Sequence, residues 1–264
     1  MNVLARAATL AGAAALAVTG LVGTASAATG ATVATVEQAG YAATGAQFDN
    51  VQTSVYLRKP AQYASEVGGY GLSVQLWAAN QLMVLGVSDS TSASPFSPAA
   101  AVFNPATKTL TCSTAGSGAQ ECPGTPANWT NGSVNYPAAD TVTLQVSFSK
   151  SLGTVHFVVR DDTTGTSSGF TYDVGTSVSF TQARVGAEFG ATPWSTPTYN
   201  PPAAAVKLAA FTGTSLTSYT GHTATLLSWW TASQVQMTGP GSVVEAAPSG
   251  LDSTGADFSV DLEP

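Results

Sequence analysis

From Asp140 to Phe148 the apolar residues Val142, Leu144, Val146 and Phe148 alternate with Thr141, Thr143, Gln145 and Ser147. A period of two places the apolar set on one side of an extended chain, so the segment reads as a half-buried strand. After a turn through residues 149–153, Val155, Phe157 and Val159 repeat the alternation and put His156 on the other side with Thr154 and Val158. Two such runs across a short polar turn predict an antiparallel hairpin. Asp161-Asp-Thr-Thr-Gly165 breaks the pattern before a further run at residues 170–174, and Phe258, Val260 and Leu262 alternate near the end. Other strand-like runs lie at residues 52–57, 72–77, 82–87, 100–103, 178–189, 206–212 and 226–237, separated by turn-rich gaps. Many short strands and no helical period predict an all-β protein, a two-sheet antiparallel β-sandwich.

Composition strengthens this reading. Only 9% of the residues are charged while 44% are hydrophobic, and Gly and Pro number 26 and 14. Uncharged polar residues with many turn formers suit strands and tight turns and argue against charge-driven disorder. The Pro-rich stretch at residues 193–202 reads as an internal loop, because too few strand-like runs follow it to build a second domain. Residues 28–264 are therefore expected to form one β-sandwich domain.

Residues 1–27 carry one Arg, an Ala/Leu/Val stretch and a small-x-small ending at Ala25-Ser26-Ala27. This is the pattern of a cleaved signal peptide, so the expected location is extracellular, by secretion, with no membrane attachment after cleavage. Export bears on the two cysteines: Cys112 and Cys122 flank a short Gly- and Ser-rich loop and are expected to form a disulfide. The formal net charge of −7 leaves no basic surface for phosphates, so nucleic acid is not an expected partner. His156 and His222 belong to no ligand motif; no metal and no cofactor is expected. No Gly-x-Ser-x-Gly elbow is present to start serine catalysis.

The order of glycines and aromatics in Gly40-Tyr-Ala-Ala-Thr-Gly-Ala-Gln-Phe-Asp-Asn-Val51 resembles the opening strands of the eqolisins, the glutamic peptidase family. Asp140-Thr-Val, Gly153 and Thr163-Thr-Gly165 are similar to that family's central hairpin, in the same order and at similar separations. Gly241, Pro248, Leu251, Gly255 and Phe258 are similar to the terminal strands of its bacterial members. The resemblance implies a concanavalin A-like, jelly-roll-type sandwich whose concave sheet carries a peptide-cleaving groove. It also implies a dyad in which a Glu activates water and a Gln amide stabilises the tetrahedral oxyanion.

Ala183-Arg-Val-Gly-Ala-Glu-Phe189 resembles the strand bearing the catalytic Glu, which places Glu188 at that position. Where the family has its Gln, before a Thr-Gly pair, this chain reads Leu82-Met-Val-Leu-Gly-Val87, offering Val84 or Leu85. An aliphatic side chain donates no hydrogen bond. Gln75 on the preceding strand is the substitute candidate, because Ser73, Gln75 and Trp77 share a face opposite Leu72, Val74 and Leu76. On the Glu188 strand, Gln182, Arg184, Gly186 and Glu188 share one face, and Gly186 leaves room for Arg184 and Glu188 to lean together as an ion pair. Trp77, Arg184 and Trp194 are the candidate binding residues around that carboxylate, since flat indoles suit peptide or sugar. The expected activity is acid endopeptidase chemistry with Glu188 as general base. The alternative is a binding protein, without chemistry, that takes polypeptide or glycan on the same concave face. A monomer is expected in either case.

Overall fold

The computed structural model describes residues 31–35, 37–58, 70–89, 96–114, 120–130, 134–189, 202, 204–227 and 230–264. Residues 1–27, expected to be a signal peptide, and Trp194 lie outside the described residues. The strands, numbered in chain order, form two layers. The first runs in space β10 (Ser167–Asp173), β9 (Thr154–Asp161), β8 (Thr141–Ser149), β3 (Phe48–Tyr56), β12 (Val206–Ser218) and β16 (Phe258–Leu262). The second runs β14 (Thr231–Thr238), β2 (Gln38–Thr44), β11 (Gln182–Phe189), β4 (Tyr70–Trp77), β5 (Leu82–Asp89), β6 (Ser97–Asn104) and β7 (Thr109–Ser113). Between them β15 (Val244–Pro248) bonds to both β16 and β14, so one continuous ladder folds over on itself. The short β1 (Val33–Thr35) adds parallel to β14, and β13 (Thr223–Ala224) pairs with β12.

The layers pack face to face, β3 against β4 and β11, and β8 against β4 and β5. The alternation read from the sequence decides which side chains meet there. Val142, Leu144 and Val146 of β8, Val155, Phe157 and Val159 of β9, and Leu72, Val74 and Leu76 of β4 are all fully buried. Their apolar sets point inward because the pleat turns successive side chains to opposite faces. Phe211 stacks on Phe258 with ring centroids 4.7 Å apart, and Phe157 stacks on Phe170 at 4.9 Å. The all-β, two-sheet antiparallel sandwich expected from the sequence is thus the observed architecture.

Strand limits depart from the sequence reading for identifiable reasons. β12 continues to Ser218 because a register shift after Thr212 absorbs Gly213, whose N–H bonds to the Asp257 carboxylate at 2.9 Å. The following Thr214 is buried, which a polar residue accepts here because its hydroxyl meets Thr53 Oγ1 at 2.9 Å. β11 and β14 begin later than their apolar runs: Val178, Phe180, Leu226 and Trp230 are buried from turns that precede the strands. Trp230 packs edge-on against Phe48 at 5.4 Å. The edge strand β7 escaped the sequence reading because its alternation is only five residues long, with Leu110 and Cys112 as its apolar members.

Cys112 and Cys122 are bonded and buried, closing a loop at the end of β7. In the chain-entropy model so short a closure stabilises by about 2–3 kcal/mol. His156 lies on the solvent side of β9, with Nδ1 3.0 Å from Thr171 Oγ1.

Candidate active site

Four adjacent strands of the second layer, β2, β11, β4 and β5, set the outer face in register. Gln38, Glu188, Gly71 and Ser88 form one transverse row; Gly40, Gly186, Ser73 and Gly86 form the next. Ala42, Arg184, Gln75 and Val84 follow, then Thr44, Gln182, Trp77 and Leu82. The row through Gly40 and Gly186 carries almost no side chain. A Cβ on Gly186 would run into the Ala39 carbonyl oxygen and lie 2.9 Å from Gly40 Cα, so the pair of glycines lets β2 and β11 approach.

Glu188 leans across that row toward β4. Its Oε1 accepts hydrogen bonds from Ser73 Oγ at 2.5 Å and from Gln75 Nε2. The Gln75 amide is oriented without ambiguity: Trp77 Nε1, which only donates, points at Gln75 Oε1 at 2.6 Å, so the nitrogen must face Glu188. Ser73 and Gln75 are both about 1% exposed, whereas Glu188 keeps partial solvent access. Among the described residues no donor reaches Glu188 Oε2.

Arg184 does not pair directly with Glu188, contrary to the expected ion pair. Its Nε donates to Gln182 Oε1 at 3.1 Å and its Nη1 to Gln38 Oε1 at 2.9 Å, while the guanidinium lies 4.2 Å from the Trp77 ring centre. The indole face attracts the cation and holds it on the Trp77 side of the site. Burial pushes the Glu188 carboxyl above the ordinary Glu range; the Ser73 and Gln75 hydrogen bonds and the Arg184 charge pull the other way. Burial likewise draws Arg184 below its usual value, opposed by the Glu37 and Glu188 carboxylates.

The structure thus brings together four of the candidates, Glu188, Gln75, Trp77 and Arg184; Trp194 lies outside the described residues. Val84 sits beside Gln75 in the same row, in an apolar cluster with Leu82 and Phe103. Sequence reasoning did not single out Ser73 as a carboxylate donor, nor Gln38 or the buried Glu37. The signal for Gln38 was present as alternation, since it shares a face with Gly40, Ala42 and Thr44, but its neighbour could not be known before β2 paired with β11. Among the described residues no group of three His, Cys, Asp or Glu side chains is placed to hold a metal ion.

Trp77→Phe tests the oriented amide. An aromatic ring under Arg184 remains, but Gln75 Oε1 loses its one donor among the described residues inside a buried environment. Urea unfolding is expected to show a loss of about 1–3 kcal/mol, with the slope unchanged.

No family model matches the chain, and no curated protein matches it in sequence. Its three-dimensional arrangement is similar to scytalido-glutamic peptidase bound to a transition-state analogue inhibitor, at a TM-score of 0.57 and 14% identity. That match covers 85% of this chain and 97% of the peptidase. The fold is eqolisin-like. A second eqolisin, SCP-B in complex with the tripeptide Ala-Ile-His, superposes at a TM-score of 0.53 and 14% identity over the same shares of the two chains. At this identity the likeness concerns the eqolisin-like arrangement of strands, and the chemistry rests on the side chains described above.

Proposed function

We propose that this protein is a secreted, acid-acting endopeptidase of the glutamic type, with Glu188 as general base and Gln75 as its amide partner. The observation that carries the reading is the contact of the Gln75 amide nitrogen with Glu188, its orientation fixed by Trp77. A carboxylate whose first oxygen is held by two donors and whose second oxygen meets no donor among the described residues is arranged to take a proton from water. In the reaction Glu188 Oε2 removes a proton from a water molecule, and the hydroxide forms a bond to the carbonyl carbon of the peptide. The carbonyl electron pair moves onto oxygen, giving a tetrahedral oxyanion. Protonated Glu188 then delivers the same proton to the leaving nitrogen as the C–N bond breaks, releasing an amine and a carboxylic acid. A raised carboxyl pKa suits a group that must both take and return a proton in mild acid. The disulfide supports an oxidising, extracellular destination.

A second reading is a peptide- or glycan-binding protein without chemistry. The aliphatic pair Val84 and Leu85, where the resemblance puts the family's dyad Gln, favours it, as does the commitment of Gln75 to protein partners at both ends of its amide. Incubating the mature protein with an unfolded protein substrate from pH 2 to pH 7 separates the two. Fragments whose formation falls about a hundredfold in Gln75→Leu are expected for the peptidase. Intact substrate at every pH, together with saturable binding, selects the binding protein.

A further inference from the structure

The Gln75 amide is spent on holding Glu188, which leaves open what stabilises the oxyanion. On the other side of Glu188, in the same transverse row, stands Gln38 of β2. Directly opposed residues of an antiparallel pair carry their Cβ atoms roughly 4.5–5.5 Å apart on one face. Gln38 is about 2% exposed, and its amide is oriented as firmly as that of Gln75. Arg184 only donates, so the atom it contacts at 2.9 Å must be Oε1, and Nε2 is the other branch. That Nε2 is buried and, among the described residues, has no hydrogen-bond partner. Leaving a buried donor unpaired is costly, and buried polar groups without partners in folded proteins call for an explanation.

Resting on the peptidase reading, we infer that Gln38 Nε2 is the donor to the tetrahedral oxyanion, while Gln75 acts through Glu188 as a positioning residue. The two glutamines then divide the work between them. Gln75, braced by Trp77 and accompanied by Ser73, holds the base on one side. Gln38, braced by Arg184, keeps on the other side an N–H pair that meets no partner among the described residues, in the row next to the bare one formed by Gly40 and Gly186. A peptide carbonyl laid over that row presents its oxygen to Gln38 and its carbon to the water on Glu188 Oε2. A donor fixed before the reaction starts costs no reorganisation when charge develops, which is where such groups contribute most.

The test is steady-state hydrolysis of one peptide by wild type, Gln38→Leu and Gln38→Glu across the acid range. Gln38→Leu removes the donor at every pH, and Gln38→Glu removes it once the new carboxyl ionises while keeping the oxygen that receives Arg184. Expected is a fall in the plateau kcat on the order of 10²-fold in both, with KM within threefold of wild type and thermal midpoints near wild type. Retained kcat in Gln38→Glu at the pH values where its carboxyl is ionised, with loss only in Gln38→Leu, overturns the inference, because Gln38 then serves only to anchor Arg184. So does a shift of the acidic limb with an unchanged plateau, which reports a charge placed beside Glu188 rather than a lost donor. Unchanged kcat in both variants overturns it while the peptidase reading stands; an inert wild type removes that reading itself. A second measurement does not depend on variant folding. In wild type, the Gln38 side-chain amide protons should shift downfield on binding a peptide with a tetrahedral hydroxyl at the scissile position, and unshifted signals in the saturated complex also overturn the assignment.

Discussion

Glu188→Gln is expected to lower peptide hydrolysis on the order of 10³-fold while raising thermal stability above mildly acidic pH. The first effect follows from removing the carboxyl that takes and returns the proton in the proposed reaction, which general acid–base catalysis values at 10²–10⁴-fold. The second follows from linkage. Burial lifts the folded carboxyl above its ordinary value of 4.5, so the folded chain holds this proton more tightly than the unfolded chain does. The stability this gives is fully present below 4.5 and is lost as pH rises through the raised folded value, where the carboxylate must ionise in place. Gln has no proton to lose. Thermal melts of the two proteins should therefore converge at low pH and separate upward, with Glu188→Gln the more stable; identical curves across the range would remove the buried, raised carboxyl. Activity and stability pull in opposite directions at this residue, since the ionised form that catalyses is the form the fold resists.

Gly186→Val should unfold much of the second layer although valine is a good strand former. Its Cβ would meet the Ala39 carbonyl oxygen and Gly40 Cα, both backbone atoms that cannot turn aside as a side chain can. Relief requires β2 and β11 to separate, which costs about 3 kcal/mol or more and pulls Gln38 away from Glu188. The contrast is Gly71→Ala on the same face of β4, where a Cβ meets nothing closer than Val87 O at 3.8 Å. That change should stay within about 1 kcal/mol of wild type, because alanine also restricts the unfolded chain. Urea titration of both variants checks the pair, and equal stabilities would contradict the close approach of the two strands.

Asp252 shows the opposite sign of linkage at the surface. Hydrogen bonds from the Thr254 hydroxyl and from the backbone of Asp257 and Ala256 outweigh a larger individual burial effect and bring its pKa down to about 2. Its contribution is present above the ordinary Asp value of 3.8 and is lost as pH falls toward 2. The acid stability of the protein therefore balances Glu188, which favours low pH, against turn carboxylates such as this one.

The alternation in the sequence determined the strands and their faces, because a period of two leaves little choice about which side chains enter the core. Thus Val142, Leu144 and Val146, and the polar row Gln182, Arg184, Gly186 and Glu188, were legible in advance. Glu188 was legible through a short motif, and Gln75 through its face. Tertiary structure alone decided the neighbours. The register of β11 between β2 and β4 places Gln75 and Ser73 on one side of Glu188 and Gln38 on the other, and it turns Arg184 onto Trp77 instead of toward the carboxylate. Strand order and register depend on contacts between residues more than a hundred positions apart, and local patterning carries no record of those.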